Sequence, residues 1–192
     1  TAAGMVLRDG RGRLEGPLDA YAISLEGTLE WPEAPPVGVR AAGSGNLQGL
    51  RLGPLKATSS ALEAVLVADW RWADAGEASG RIELRALDPT PWIGDWPPDR
   101  TISGTAAFAW RADTVSLSGL ELKLQDNDEA MLRGEGSLHL DTGELSATLG
   151  WSELGWSGLA WSGTAGVFSD RGTLQASGTL DDWQLESELT LG

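Results

Sequence analysis

Cysteine is absent from all 192 residues, so no disulfide framework, thiolate metal site or thiol nucleophile can form; the absence is neutral about compartment. Basic residues are scarce. Fourteen Lys and Arg stand against 28 Asp and Glu, and the resulting charge of -14 would repel phosphate backbones, so nucleic acid is not an expected partner. Long apolar runs are missing too: stretches such as Ala64 to Ala68 fall far short of the roughly 18 residues of a membrane-spanning helix. Thr1 opens no charged-then-apolar signal pattern, and the chain is expected to be a soluble segment of a longer protein.

Candidate catalytic chemistry is thin. The single histidine, His139, stands between Leu138 and Leu140 and faces away from them in an extended segment, where a Ser-His-Asp arrangement would need it to leave its strand position. An exposed strand histidine is expected instead. The richest carboxylate cluster, Asp126, Asn127, Asp128 and Glu129, lacks the length, the sixth-position Gly and the terminal bidentate Glu of a calcium loop, so a solvated hairpin is expected and no metal. Gly43-Ser44-Gly45 does not join a strand to a helix, as a phosphate-cradling loop requires. No enzyme activity and no cofactor are expected.

What is present is apolar alternation. With 41% hydrophobic residues and a mean hydropathy of -0.16 the chain has enough apolar mass to fold, as one or two domains. Leu62, Ala64, Leu66, Ala68, Trp70 and Trp72 fall on one side of an extended segment, with Glu63, Asp69 and Arg71 on the other. Ile82 and Leu84, then Leu122 and Leu124, then Trp183, Leu185 and Leu189 repeat the pattern. No stretch shows a 3.6-residue period, so at most one short helix is expected.

Turns are expected at Asp126 to Asp128, Asp141 to Gly143, Ser169 to Gly172 and Asp181-Asp182, and an antiparallel meander from about residue 101. The recurring Gly-x-apolar phrase, as in Gly80-Arg81-Ile82 and Gly172-Thr173-Leu174, predicts strands that start directly after turns, about fifteen in all. A weak repeat links Arg13-Leu14-Glu15-Gly16-Pro17-Leu18-Asp19-Ala20 with Arg51-Leu52-Gly53-Pro54-Leu55-Lys56-Ala57. The Pro-rich stretches Trp31 to Pro36 and Asp88 to Pro98 are expected outside paired central strands.

The fold class predicted is all-β: an elongated, curled, antiparallel-rich sheet whose apolar face is the concave side of a U-shaped groove. Such a sheet is too wide for one flat layer. The groove lining expected from parity comprises Leu62, Leu66, Trp70, Ile82, Leu84, Trp110, Leu122, Leu124 and Leu138, continuing through Leu140, Leu145, Leu149, Trp151, Leu174, Leu180, Trp183, Leu185 and Leu189. Tryptophan is the anomalous residue, ten against two Phe and one Tyr. Parity places Trp70, Trp72, Trp110, Trp151 and Trp183 in the lining, with stacking on sugars the competing role. Trp92 and Trp96, in the Pro-rich loop, are candidates to plug an end of the sheet.

Three phrases carry a family resemblance: Gly80 to Pro89 followed by Trp92 and Pro97-Pro98, Ala68-Asp69-Trp70, and Leu132 to Leu138. They resemble the repeats of the TamB family, within the AsmA-like repeating β-groove superfamily, over most of residues 45 to 191. The first 40 residues fit least well. The resemblance implies a β-taco groove, one continuous segment over residues 1–192, in the periplasm of a Gram-negative bacterium, with the full-length protein anchored in the inner membrane. It implies phospholipid acyl chains as cargo, passed between inner and outer membrane without catalysis, and the outer-membrane barrel protein TamA as partner. The alternative is a scaffold whose apolar face is filled and whose strand edges aid outer-membrane protein insertion.

Overall fold

Alternating sequences that bury one face build sheets when hairpins return the chain beside itself, and here that happens throughout. The computed structural model describes residues 6–32, 34–72, 76–91, 96, 100–124, 127–155 and 168–191, the side chains of 127–131, 153–155, 168 and 191 excepted. The elements are β1 (Val6–Glu15), β2 (Tyr21–Glu30), β3 (Val37–Asn46), β4 (Gly49–Thr58), β5 (Leu62–Arg71) and β6 (Glu77–Leu87). They continue as β7 (Ile102–Arg111), β8 (Thr114–Leu124), β9 (Asn127–His139), β10 (Glu144–Gly155), β11 (Phe168–Thr179) and β12 (Trp183–Leu191). All twelve form one sheet in chain order, each strand antiparallel to its chain neighbours, and β1 and β12 are not paired to each other. The sheet is open and antiparallel, as the all-β curled-sheet expectation requires, and no helix occurs among the described residues. At about 4.8 Å per strand the twelve extend roughly 50 Å, shorter than fifteen would.

The strand count falls because most glycines are inside strands. Gly27, Gly80, Gly136, Gly172 and Gly178 all lie within strands, whereas Gly143 alone of the Gly-x-apolar set occupies a turn, with φ 68. A large side chain from the adjacent strand explains two of them: a Cβ on Gly80 would meet the Phe108 ring at 2.6 Å, and one on Gly172 would run into the Trp151 indole. These glycines let rings lie flat across the sheet, which conceals them as turn signals.

Two further expectations are corrected. Ser169 to Gly172 is not a turn but the start of β11, and the irregularity there is a register shift between Ser169 and Arg171. The Arg13 to Ala20 and Arg51 to Ala57 phrases are not equivalent units, since the first ends β1 and enters a turn while the second lies inside β4. Pro54 is tolerated within β4 because the register slips between Leu52 and Leu55, where a bulged residue owes the ladder no N–H. The turns at Asp141 to Gly143 and Asp181-Asp182 are as expected. Asp126 and Trp92 lie outside the described residues, as do the side chains of Asn127, Asp128 and Glu129; the backbone of β9 already begins at Asn127.

A single layer has no second sheet to cover it. Among described residues the buried apolar side chains are Val37, Ala41, Ala61, Pro89, Trp96 and Ala106, and none of the larger ones is fully enclosed. The accessible surface is 12839 Å², against about 8,700 Å² for a compact monomer of 20.2 kDa. The excess marks an uncovered sheet.

Candidate functional site

Residues directly opposite across an antiparallel pair project to the same side of the sheet, so the register converts apolar positions into rows. One row runs Leu50, Trp70, Ala78, Trp110, Val115, Leu138 and Leu145, then through Gly178 to Trp183. Another runs Ala64, Leu84, Gly104, Leu122, Leu132, Trp151, Gly172 and Leu189. Between them lie Leu66 opposite Ile82, Leu149 opposite Leu174 and, nearer the first row, Ala176 opposite Leu185. Leu62, Leu87, Ile102 and Leu124 form a margin.

Of the eighteen residues expected to line a groove, sixteen lie on this one face within strands. Leu140 and Leu180 do not: both have left their strands and enter turns, 51% and 61% exposed. Each follows the alternation for one residue past the end of its strand.

The sequence pattern missed more than it misplaced. The face extends through β1 to β3, where Leu14 opposes Ile23, Leu7 opposes Leu29 and Leu29 opposes Val37. Ile23, Leu25 and Leu29 alternate with Ser24, Glu26 and Thr28, a signal present in the region that carried least family resemblance. Leu52 with Leu55, and Leu117 with Leu120, also belong to the face although each pair is out of phase, because a bulge between them restores the side.

The face is apolar, and among the described residues much of it stays exposed. Trp70 is 46% exposed, Trp183 54% and Leu189 57%. The indoles of Trp70 and Trp110 meet edge to face with centroids 6.0 Å apart, and Trp70 meets Trp72 likewise at 6.3 Å. Several indole N–H groups are occupied internally: Trp72 donates to the Leu47 carbonyl at 2.8 Å and Trp151 to Ser169 Oγ at 3.2 Å. Trp96, buried and lying between β6 and β7 in sequence, donates to the Arg100 carbonyl at 2.6 Å.

The opposite face carries charge. Arg51 meets Asp69 at 2.8 Å, Arg85 meets Glu63 at 3.2 Å and Glu83 at 3.1 Å, and Arg133 meets Glu121 at 3.6 Å. The hydrogen bond that Arg51 donates to Asp69 raises the Arg51 pKa, and those that Arg85 donates to Glu63 and Glu83 raise that of Arg85, so both stay protonated. Solvent screens exposed pairs of this kind, so they select which face is wet more than they stabilise the sheet.

His139 ends β9, half exposed, with Nε2 2.9 Å from Asp113 Oδ2 and Nδ1 accepting from the Thr142 N–H at 3.5 Å. Both ring nitrogens are thus engaged in joining two hairpin turns. No cluster of three or more carboxylate or histidine ligands occurs among the described residues.

No curated protein and no solved structure matches the chain in comparison. The family described as TamB, N-terminal domain, matches residues 1–118, the poorly resembling first strands included; that is more than half of the sequence, and the chain belongs to the TamB family of the bacterial envelope's translocation and assembly module.

Proposed function

We propose that this chain is a non-enzymatic, lipid-shielding groove of the periplasm that holds phospholipid acyl chains on its apolar face and passes them between the inner and outer membranes. One observation carries the proposal: apolar rows cross all twelve strands in register, and among the described residues much of their surface stays exposed. Exposed apolar area of that extent calls for an occupant. A diacyl lipid has about thirty methylenes, whose exposure would cost roughly 24 kcal/mol at about 0.8 kcal/mol each, so unassisted passage through water is negligible. Rows of near-equivalent Leu, Ala and Trp offer successive positions of similar free energy, which suits sliding better than tight capture.

The polar face bears the acidic excess, so affinity rests on the acyl chains rather than on anionic headgroups. TamA, the barrel partner in the same module, is the proposed recipient side, and anchoring in the inner membrane belongs to the full-length protein. Native mass spectrometry of the purified chain tests the proposal. Wild type, Glu121→Ala and Lys123→Ala are expected to carry phospholipid, while Leu66→Asp and Leu149→Asp lose most of it with their far-ultraviolet circular dichroism retained. Equal lipid in all of these proteins sinks the groove.

A second function is favoured by a different observation. Among the described residues β1 and β12 are exposed along their lengths, and each has a strand partner on one side only. An edge of that kind suits strand addition during outer-membrane protein assembly. Proline substitutions along the free edge of β12 would impair partner binding there and leave lipid content unchanged.

A further inference from the structure

The net charge is unevenly spread. Residues 1–60 contain six basic side chains (Arg8, Arg11, Arg13, Arg40, Arg51, Lys56) and six acidic ones (Asp9, Glu15, Asp19, Glu26, Glu30, Glu33), so their net charge is zero. The remaining residues hold 14 − 6 = 8 basic against 28 − 6 = 22 acidic, and therefore the entire charge of -14. The first four strands therefore carry none of the acidic excess that would repel an anion.

Within that region the register makes an unusual choice. Arg40 of β3 stands directly opposite Lys56 of β4, both exposed. Like charges directly opposite one another are destabilising. Glu26 of β2, on the other side of Arg40, is engaged by Arg11 at 3.8 Å. Neither Arg40 nor Lys56 meets a carboxylate among the described residues.

Beside this pair the surface is hollowed. The neighbouring cross-strand row is Thr28, Gly38 and Thr58, so a glycine stands between two threonines. A Cβ on Gly38 would have only Thr58 atoms nearby, its carbonyl oxygen at 3.6 Å and Oγ1 at 3.7 Å. The notch belongs to a cleft of about 630 Å³ whose walls include Asp9, Arg11, Glu26, Arg40, Lys56 and Thr58.

We infer that this notch is a binding site for a phosphate group, taken up between the Arg40 guanidinium and the Lys56 ammonium over the bare backbone of Gly38. Each part has a chemical role. Arg40 offers a planar fork to two oxygens, Lys56 a compact charge, and Thr28 and Thr58 hydroxyl donors to the rest. An oxyanion placed there also relieves the repulsion between the two cations. Glu26 and Asp9 restrict the ligand to a small group, since an extended polyanion would meet both carboxylates. The site is on the face opposite the apolar rows, so it is independent of any acyl chains held there.

The full chain is titrated with inorganic phosphate at neutral pH by calorimetry, and separately tested for co-sedimentation with phosphatidylglycerol and phosphatidylcholine vesicles. Saturable phosphate binding is expected, at least tenfold weaker in the Arg40→Ala/Lys56→Ala double variant and unchanged in Arg133→Ala. Gly38→Val keeps both cations, suits an extended backbone and fills the notch, so it too should weaken binding at least tenfold. Phosphatidylglycerol vesicles that bind and are displaced by phosphate identify a lipid headgroup as the source; phosphate binding without vesicle binding identifies a free phosphate ester. Absence of phosphate binding, or undiminished binding in either the double variant or Gly38→Val, overturns the site.

Discussion

Glycine and the large side chains share space across neighbouring strands. Gly80 sits beneath the Phe108 ring, and a Cβ there would also press on the Val67 carbonyl oxygen, so the ring and the strand both have to move before any side chain fits. Gly80→Ala is expected to destabilise the sheet by about 1 to 3 kcal/mol, the ordinary cost of overpacking, measurable as a lowered urea midpoint. No loss would mean that the ring can swing away freely. Asp88 offers a second test at this scale. The Thr90 hydroxyl, then its backbone N–H, donate to Asp88 Oδ1 and hold its carboxyl below the usual aspartate value. A lowered folded pKa means the contribution is present above the ordinary aspartate range and is lost as pH falls through the folded value. Thr90→Val removes the hydroxyl donor, so the Asp88 carboxyl should titrate closer to its ordinary value in an NMR titration; an unmoved titration would assign the effect elsewhere.

At the scale of the strand, period-two alternation was legible wherever a strand is regular and misleading wherever it is not. Leu62 to Trp70 in β5 and Leu145 to Trp151 in β10 have no bulge of their own, and their lining positions follow from counting. In β4 and β8 an inserted residue flips parity mid-strand, and only the pairing shows that Leu52 and Leu55 share a side. Bulges bend a strand and increase its twist, so the features that hid the face are also those that curl it. In β8 the insertion centres on Gly119, whose φ of 56 is left-handed and whose Cβ position is open space. Gly119→Val therefore meets no neighbour and pays only for its backbone, about 1 to 2 kcal/mol in the unfolding free energy. A larger loss would show packing that the open space around Gly119 does not account for.

For the molecule as a whole, the sequence indicated the all-β class and the dry face, but not the length of that face. The missing quarter lay in β1 to β3, three of the twelve strands, where small residues such as Gly12, Ala41 and Gly43 interrupt the rows that Leu14, Ile23 and Leu25 carry. The candidate phosphate notch was not legible at all, since Arg40 and Lys56 are 16 positions apart and only register makes them neighbours. Protection should follow position in the sheet: by hydrogen exchange, amides of β1 and β12 are expected to exchange before those of β5 to β8, because an end strand has one ladder partner and an inner strand two. Uniform protection from β1 to β12 would contradict a sheet whose strands depend only on their neighbours.

The chain-order pairing has a consequence for how such an object comes into being. A barrel is nothing until its first strand finds its last, and a sandwich waits for its second sheet. Here every new hairpin needs only the strand just laid down, so assembly can proceed in the direction of synthesis, as in repeat proteins whose units contact only their neighbours. Any partly built sheet is already a shorter edition of the finished one, and lengthening it requires more of the same step rather than a new fold.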